Sequence, residues 1–452
     1  MITALDPIED LKAFLRFPSI STQLEHAPDM AECAEWLREK LSSLGLGATV
    51  YPTPGSPVVV ARNSSHDPTK RTVLIYGHYD VQPPDPLDGW KTPPFEPRVE
   101  NGRIYARGAA DNKGQILAHI LGVAETLSEQ GSLPVNVLFL IEGEEEIGSP
   151  HLAEFLHAHC AELRCDLAAI SDTAMAPGNS PALTYALRGI AAMELLVHGP
   201  ARDLHSGLFG GAVANPATVV ARLLATLHDA KGRVLIPGFY DAVRPLADWE
   251  RDAAAALEKA AGGDAAIKEL AGVSELSGET GFSTIERIGA RPTAEVNGIG
   301  GGYQGAGTKT VLPKEAFAKL TFRLVADQDP AVILKAAEQY LRSQTPPGVR
   351  LEVITGHAGA PYQSDPNCPD GLAARKALSE AFGAEPLLLR DGGSIPILAT
   401  LKEILGVDSY LLGLANPDSQ IHSPDENMCV DNFLGGIRMS RILLEELGKL
   451  SS

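Results

Sequence analysis

The sequence predicts an α/β protein: a mixed sheet flanked by helices and interrupted by a separate α+β unit. Two short runs, Thr72 to Tyr76 and Val135 to Ile141, are apolar nearly throughout, as strands buried on both faces are. Between them Ile116, Leu117, Ile120, Val123, Ala124 and Leu127 recur at three-to-four spacing and stop at Gly131, the pattern of an amphipathic helix. After Tyr185 the texture changes to longer strand and helix runs, so a second unit begins there.

Within that unit the reading is a strand at Ala191 to Val197, a helix from Pro216 to His228, two more strand runs, a helix from Pro330 to Leu341 and a strand at Arg350 to Thr355. A Gly- and Pro-containing stretch, Gly356 to Pro369, then leads back to a helix and short apolar strands, Ser409 to Leu412 among them. The expected domains are therefore an outer one of residues 1–186 plus 357–452 and an inserted one of residues 187–356. The Ala-rich stretch from Ala253 to Ala271 reads as helix.

Composition narrows the function. A chain of 452 residues suffices for two or three domains with real cores. Charged residues at 21%, with Gly and Pro spread along the length, exclude a disordered tail, a coiled coil and a collagen-like fibre. The 38 basic against 57 acidic side chains, with no basic cluster, argue against nucleic acid, because such a surface repels phosphate. No window approaches the roughly 18 to 20 apolar residues of a spanning helix, and Met1 to Thr22 shows no basic-then-apolar leader. Cys33, Cys160, Cys165, Cys368 and Cys429 are odd in number and form no CxxC pair, so no disulfide framework or thiolate zinc site is expected. A soluble cytoplasmic protein with no membrane partner follows as the expectation.

The residues that suggest chemistry stand at strand ends. Val73 to Asp80 closes a buried strand with His78 and Asp80, two residues apart and so on one side. An imidazole that ligates a metal commonly donates its other N–H to a carboxylate, which suits His-x-Asp, although alone His78 reads better as a strand-end side chain beside a polar loop. Asp111 directly precedes the amphipathic helix and by itself reads as an N-cap. Glu142, Glu144, Glu145 and Glu146 follow the next buried strand; packed together they would repel strongly unless solvated or neutralised by cations. Asp172 closes another apolar run, and His422 follows the strand-like Tyr410 to Leu412. Ligands in open α/β sheets collect beyond the carboxyl ends of strands, so the joint occurrence points to one site. Two imidazoles and three carboxylates exceed one tetrahedral zinc but suit two divalent ions sharing a carboxylate and holding a water. A further carboxylate could act as general base toward a leaving amine, which implies amide hydrolysis.

The segments Gly77-His78-Tyr79-Asp80, Gly108 to Gly114 (GAADNKG), Glu142 to Ser149 (EGEEEIGS), Ser171-Asp172, Leu204-His205-Ser206-Gly207 and His422-Ser423-Pro424 resemble, in order and spacing, the M20 family of metallopeptidases. Tyr79 to Pro83, Arg188-Gly189, Phe209 to Gly211 and Gly392 to Pro396 are most similar to its carnosinase and cytosolic nonspecific dipeptidase branch. The resemblance implies a zinc-exopeptidase-like catalytic domain with an inserted ferredoxin-like lid that also forms a homodimer contact. It implies that Asp111 bridges two metals, that His78 and Asp172 complete one site and Glu146 and His422 the other, that Glu145 is the general base and that Asp80 orients His78. It also places a non-proline cis peptide at Asp111-Asn112. Glu144 stands where many relatives have an uncharged residue, which leaves the roles within the triplet open.

On the lid, the resemblance gives His205 the oxyanion of the tetrahedral intermediate, reached from the partner subunit, and gives Thr310 and Arg323 the C-terminal carboxylate of the substrate. On sequence alone Arg323 reads equally as the polar face of a strand. Asp391 and Ser394 would receive the free amino group, with Asp391 shorter than the Glu common in relatives. The glycine-rich stretch Gly298 to Gly305 lacks the Lys-Ser/Thr ending of a phosphate loop and reads as a flexible lid loop. The expected function is hydrolysis of dipeptides or other short peptides with two divalent ions per subunit, zinc ahead of manganese or cobalt. The alternatives are an N-acyl-amino-acid deacylase on the same scaffold and, below it, a catalytically silent metal-binding scaffold.

Overall fold

The computed structural model describes residues 6–393 and 395–450, and the chain divides into two compact units. Unit one is built from residues up to Tyr185, Ser364–Leu389 and Thr400 onward, and unit two from Ala186–Gln363 and Arg390–Ala399.

In unit one the buried apolar runs form strands Thr72–His78 and Asn136–Glu142, at the places where the sequence predicts them. Seven strands of its mixed sheet lie in the order Leu46–Tyr51, Val58–Asn63, Asn136–Glu142, Thr72–His78, Leu167–Ile170, Ser409–Leu412 and Ala182–Leu187. The central four are mutually parallel, so their carboxyl ends open at one edge. The predicted amphipathic helix runs Lys113–Gln130 and ends at Gly131, whose φ of 71° suits glycine and lets its N–H reach the Leu127 carbonyl. It is buried along most of its length, and its Ile116, Leu117, Ile120 and Val123 share a core with Phe139 and Ile141 of the sheet and Phe433 and Ile437 of helix Val430–Gly448. Its start departs from expectation: Asn112 is the N-cap residue and makes no side-chain cap bond, while Asp111 is free for another role.

Unit two has the chain order β-α-β-β-α-β of a ferredoxin-like unit: strand Gly189–His198, helix Pro216–Ala225, strands Thr293–Gly301 and Glu315–Leu324, helix Pro330–Gln344 and strand Arg350–Gly359. The sheet is antiparallel, in the order 293–301, 315–324, 189–198, 350–359. Each helix starts with Pro at its first position behind a capping side chain, Asn215 or Asp329, that accepts backbone N–H groups. Buried residues alternate along Gly189–His198, and Met193, Leu195 and Val197 pack with Val219, Val220, Leu223, Ile333 and Ala337 of the two helices.

Two expectations for this unit are corrected, and a third is refined. The first helix ends at Ala225, before His228, which leaves it to bridge Val234. The Ala-rich stretch is helical as expected, divided into Asp248–Ala260 and Gly263–Ala271 where Gly262 and Gly263 adopt φ of 81° and 69° and turn the chain. Gly298–Gly301 is strand, paired with Lys319 to Ala316, where a Cβ on Gly300 would meet the Phe317 ring at 2.5 Å. No helix among the described residues is long and apolar enough to cross a membrane.

Candidate metal centre

The carboxyl ends of the parallel strands bring the predicted ligands of unit one together. His78 ends strand Thr72–His78, Asp172 follows Leu167–Ile170, and the loop after Asn136–Glu142 carries Glu145 and Glu146. The loop after Ser409–Leu412 delivers His422, and Asp111 comes from the segment ahead of the buried helix, where the Asp111–Asn112 peptide bond is cis.

The two oxygens of Asp111 face different imidazoles. Oδ1 lies 3.1 Å from His78 Nε2 and Oδ2 lies 3.0 Å from His422 Nε2. Asp172 stands 3.9 Å from His78 Nε2, and Glu146 stands 3.3 Å from His422 Nε2. Two donor groups result, His78–Asp111–Asp172 and Asp111–Glu146–His422, each with ligand atoms within 4.8 Å of one another. Imidazole and carboxylate donors at such spacing fit divalent cations of the zinc, manganese or cobalt type.

The protonation equilibria show the electrostatic cost of this crowding. Burial pushes the Glu145 carboxyl up to about 9, reinforced by Asp172, Asp111 and Glu146 and opposed by His78. Burial and then the charge of Asp111 push Asp172 up to about 7. Burial alone would push His78 down, yet its bonds to Asp111 and Asp80 and the charge of Asp172 hold it well above its ordinary value. Bonds to Asp111 and Glu146 raise His422 to about 10. Asp111, despite a burial effect in the other direction, is drawn down by the two imidazoles. Protons are shared here in the way that bound cations would replace, by giving the carboxylates a positive partner.

Asp80 is fully buried and serves more than His78. His78 Nδ1 is 3.3 Å from Asp80 Oδ1 and 3.0 Å from the Asp80 carbonyl. The same carboxylate accepts the Glu145 N–H at 3.2 Å and the Glu146 N–H at 3.1 Å. Glu144 points elsewhere: it accepts the Ser56 N–H at 3.1 Å and lies 2.8 Å from His151 Nδ1. Two contributors escape the sequence reading. Gln82 donates to Glu146 Oε2 at 2.9 Å, and Asn112 donates to Asp172 Oδ1 at 3.1 Å. Both stand inside segments that carry the family resemblance, Tyr79 to Pro83 and Gly108 to Gly114, and that membership is the signal, since amides carry no ligand signature of their own.

In unit two, strand pairing of Leu204–His205 with Val311–Leu312 sets His205 beside Thr310, whose carbonyl accepts the Ser206 N–H at 3.0 Å. His205 is exposed and its Nδ1 accepts the Gly207 N–H at 3.0 Å. Arg323 is half-buried on strand Glu315–Leu324, near Arg188, which burial and then the charge of Arg323 lower to about 10. Asp391 ends strand Leu387–Asp391 and accepts the Gly393 N–H at 2.9 Å. Ser394 lies outside the described residues.

An α/β sheet whose carboxyl edge gathers two donor groups around one shared carboxylate defines a candidate dinuclear metalloenzyme. Residues 74–446 match Peptidase family M20/M25/M40, and the chain belongs to that family. It is 35% identical over 467 residues to a Cys-Gly metallodipeptidase of Candida albicans, covering 98% of this chain and 94% of that protein. With the human Beta-Ala-His dipeptidase it shares 32% identity over 433 residues, 93% of this chain and 84% of the other. Among solved structures it superposes on an M20 family metallo-carboxypeptidase from Sulfolobus solfataricus with a TM-score of 0.81 and 33% identity, covering 99% of this chain and 100% of that one.

Proposed function

We infer that this M20 peptidase is a metal-dependent dipeptidase, hydrolysing the amide bond of dipeptides and other short peptides with two divalent cations bound per subunit and Glu145 as general base. The observation that carries the reading is Asp111, which offers one carboxylate oxygen to each imidazole-bearing donor group. Bound there, two cations would lower the pKa of a water and polarise the scissile carbonyl.

The remaining work falls to the chain. Glu145, beside Asp111, Asp172 and Glu146, takes a proton from the attacking water and delivers it to the leaving amine nitrogen. Asp80 keeps His78 oriented and holds the backbone on which Glu145 and Glu146 sit. His205 donates to the oxyanion, Arg323 and Thr310 take the substrate carboxylate, and Asp391 with Ser394 takes its ammonium group. Arg188 beside Arg323 adds a second positive charge suited to an anionic terminus.

Zinc is the expected ion, with manganese or cobalt as alternatives that the same donors accept. A homodimer through unit two is supported by the sheet face opposite its helices, where Phe317 and Ile354 remain 36% and 47% exposed. A reducing, cytoplasmic setting agrees with five free cysteines.

Two other reactions compete. Deacylation of N-acyl amino acids would need an acyl pocket in place of an anion such as Asp391, and the carboxypeptidase name of the Sulfolobus solfataricus structure makes trimming of longer peptides a second reading. A panel of a free dipeptide, its N-acetylated form and a longer peptide of the same C-terminal residue decides among them, with metal analysis of the protein as isolated. Fastest turnover of the free dipeptide is expected; preference for the blocked or the longer compound overturns it.

A further inference from the structure

The loop that presents His422 is open at the ligand and sealed four residues later. The His422 side chain is 51% exposed, whereas that of Glu426 is 0% exposed. Three non-glycine residues of this loop, Gln420, His422 and Asp425, have φ of 55° to 60°. Local backbone preference opposes that shape, so tertiary contacts must hold it.

The Glu426 carboxylate makes a cluster of such contacts. Its Oε2 accepts from Arg107 Nη1 at 2.7 Å and from the Gly108 N–H at 3.1 Å, and its Oε1 accepts the Ala110 N–H at 2.9 Å. All three donors lie in the segment that runs into Asp111. The Ala106 N–H adds a bond to the Glu426 carbonyl at 3.1 Å. Arg107, 1% exposed, also donates to the Pro83 carbonyl at 3.1 Å and so reaches the loop after His78. Gly108, at φ 86°, passes so close to Val81 that a Cβ would meet its Cγ1 at 2.8 Å. One buried carboxylate therefore joins the segments bearing His422 and Asp111, and its guanidinium partner ties in a third.

We propose that Glu426, together with Arg107, is a positioning residue of the metal centre: it fixes His422 against Asp111 and thereby sets the affinity of the Asp111–Glu146–His422 site. This rests on the two-metal reading above. A buried ion pair is poor evidence for stability, since an apolar pair could fill the same space. An apolar side chain could not collect three N–H groups from one segment, and it is this collection that dictates where Asp111 stands relative to His422.

The test compares Glu426→Gln with Asp370→Asn. Asp370 forms a two-bond ion pair with Arg71, at the amino end of strand Thr72–His78 and so away from the metal edge. Chelator-stripped proteins are titrated with cobalt(II), followed by visible absorption and calorimetry, and their unfolding temperatures are measured without metal. The parent is expected to take two ions. In Glu426→Gln one ion should bind nearly as in the parent and the other about 10- to 100-fold more weakly. Asp370→Asn should unfold at lower temperature and bind both ions as the parent does. If Glu426→Gln also loses only unfolding temperature, the proposal is overturned; if the parent takes fewer than two ions, the two-metal reading beneath it fails instead. Should Glu426→Gln not fold, Arg107→Lys, which keeps the charge and gives up the planar fork, is expected to weaken the same ion, and parental affinity for both ions in it overturns the proposal.

Discussion

Asp80→Asn probes whether one buried carboxylate organises both halves of the metal edge. Oδ1 faces His78 Nδ1 at 3.3 Å and the Glu145 N–H at 3.2 Å, and Oδ2 faces the Glu146 N–H at 3.1 Å. With His78 bound to metal through Nε2, all three of these partners are donors. An amide of the same shape has one oxygen and one NH2, so in either orientation a donor meets a donor. Turned one way it opposes Glu146; turned the other it opposes both His78 and Glu145. The milder outcome removes one hydrogen bond to a charged acceptor, about 1.5–3 kcal/mol. Because that bond stands directly behind metal-binding groups, the loss should surface as about 10- to 100-fold weaker binding of at least one ion. Metal titration of the stripped protein, with kcat/KM for a dipeptide and the unfolding temperature alongside, reads it out. A folded Asn variant with parental affinity for both ions and parental kcat/KM would refute the reasoning.

Glu145→Gln should keep both ions while kcat falls about 10²- to 10⁴-fold, as metal analysis and turnover will show; loss of the ions would make Glu145 a ligand instead. Chelation should make stability depend on pH in a specified direction. Without cations the folded chain holds protons on Glu145 (up to about 9) and Asp172 (up to about 7) that the unfolded chain has released above its ordinary carboxylate range, so stability falls as pH rises through that interval. Unfolding temperatures with and without chelator across that range should diverge as pH rises, and parallel curves would contradict this. His119, buried between Ser171 Oγ at 2.8 Å and Ser440 Oγ at 3.2 Å, is lowered to about 4 by burial. The unfolded state takes a proton there first, so stability is lost as pH drops from about 6.5 to about 4, and His119→Gln should flatten that part of the stability profile. Mixed dimers of Glu145→Gln and His205→Ala subunits should regain one working site if His205 acts across the dimer; no recovery in verified mixed dimers would place it in its own subunit.

Much of this protein is local in its sequence. The period of Ile116 to Leu127 and the stop at Gly131 specify a helix because side chains three and four apart share a face. The runs before His78 and Glu142 specify buried strands because both of their faces must be covered. Where the reading slipped, a longer-range contact decided. Gly298–Gly301 carries the composition of a loop, yet it pairs in the sheet because Phe317 covers Gly300. Residues 390–399 cluster with unit two, where Arg390 reaches Glu250 and Gln363, and no hydrophobic period announces that contact. Asp111, placed by its neighbours as a helix cap, is turned instead toward two imidazoles.

Residue type and local pattern specify which donors exist, that they close buried strands, and that their chemistry suits divalent cations and amide hydrolysis. Long-range contacts settle that the two oxygens of Asp111 face different histidines, that Glu144 is drawn off to His151 and Ser56, that Asp80 also holds the Glu145 and Glu146 N–H groups, and that Gln82, Asn112 and Glu426 support the arrangement. The reason is one of range. Periodicity and residue type act over a few positions, whereas convergence depends on which strands lie side by side, and that order is settled by pairing between segments far apart in the chain.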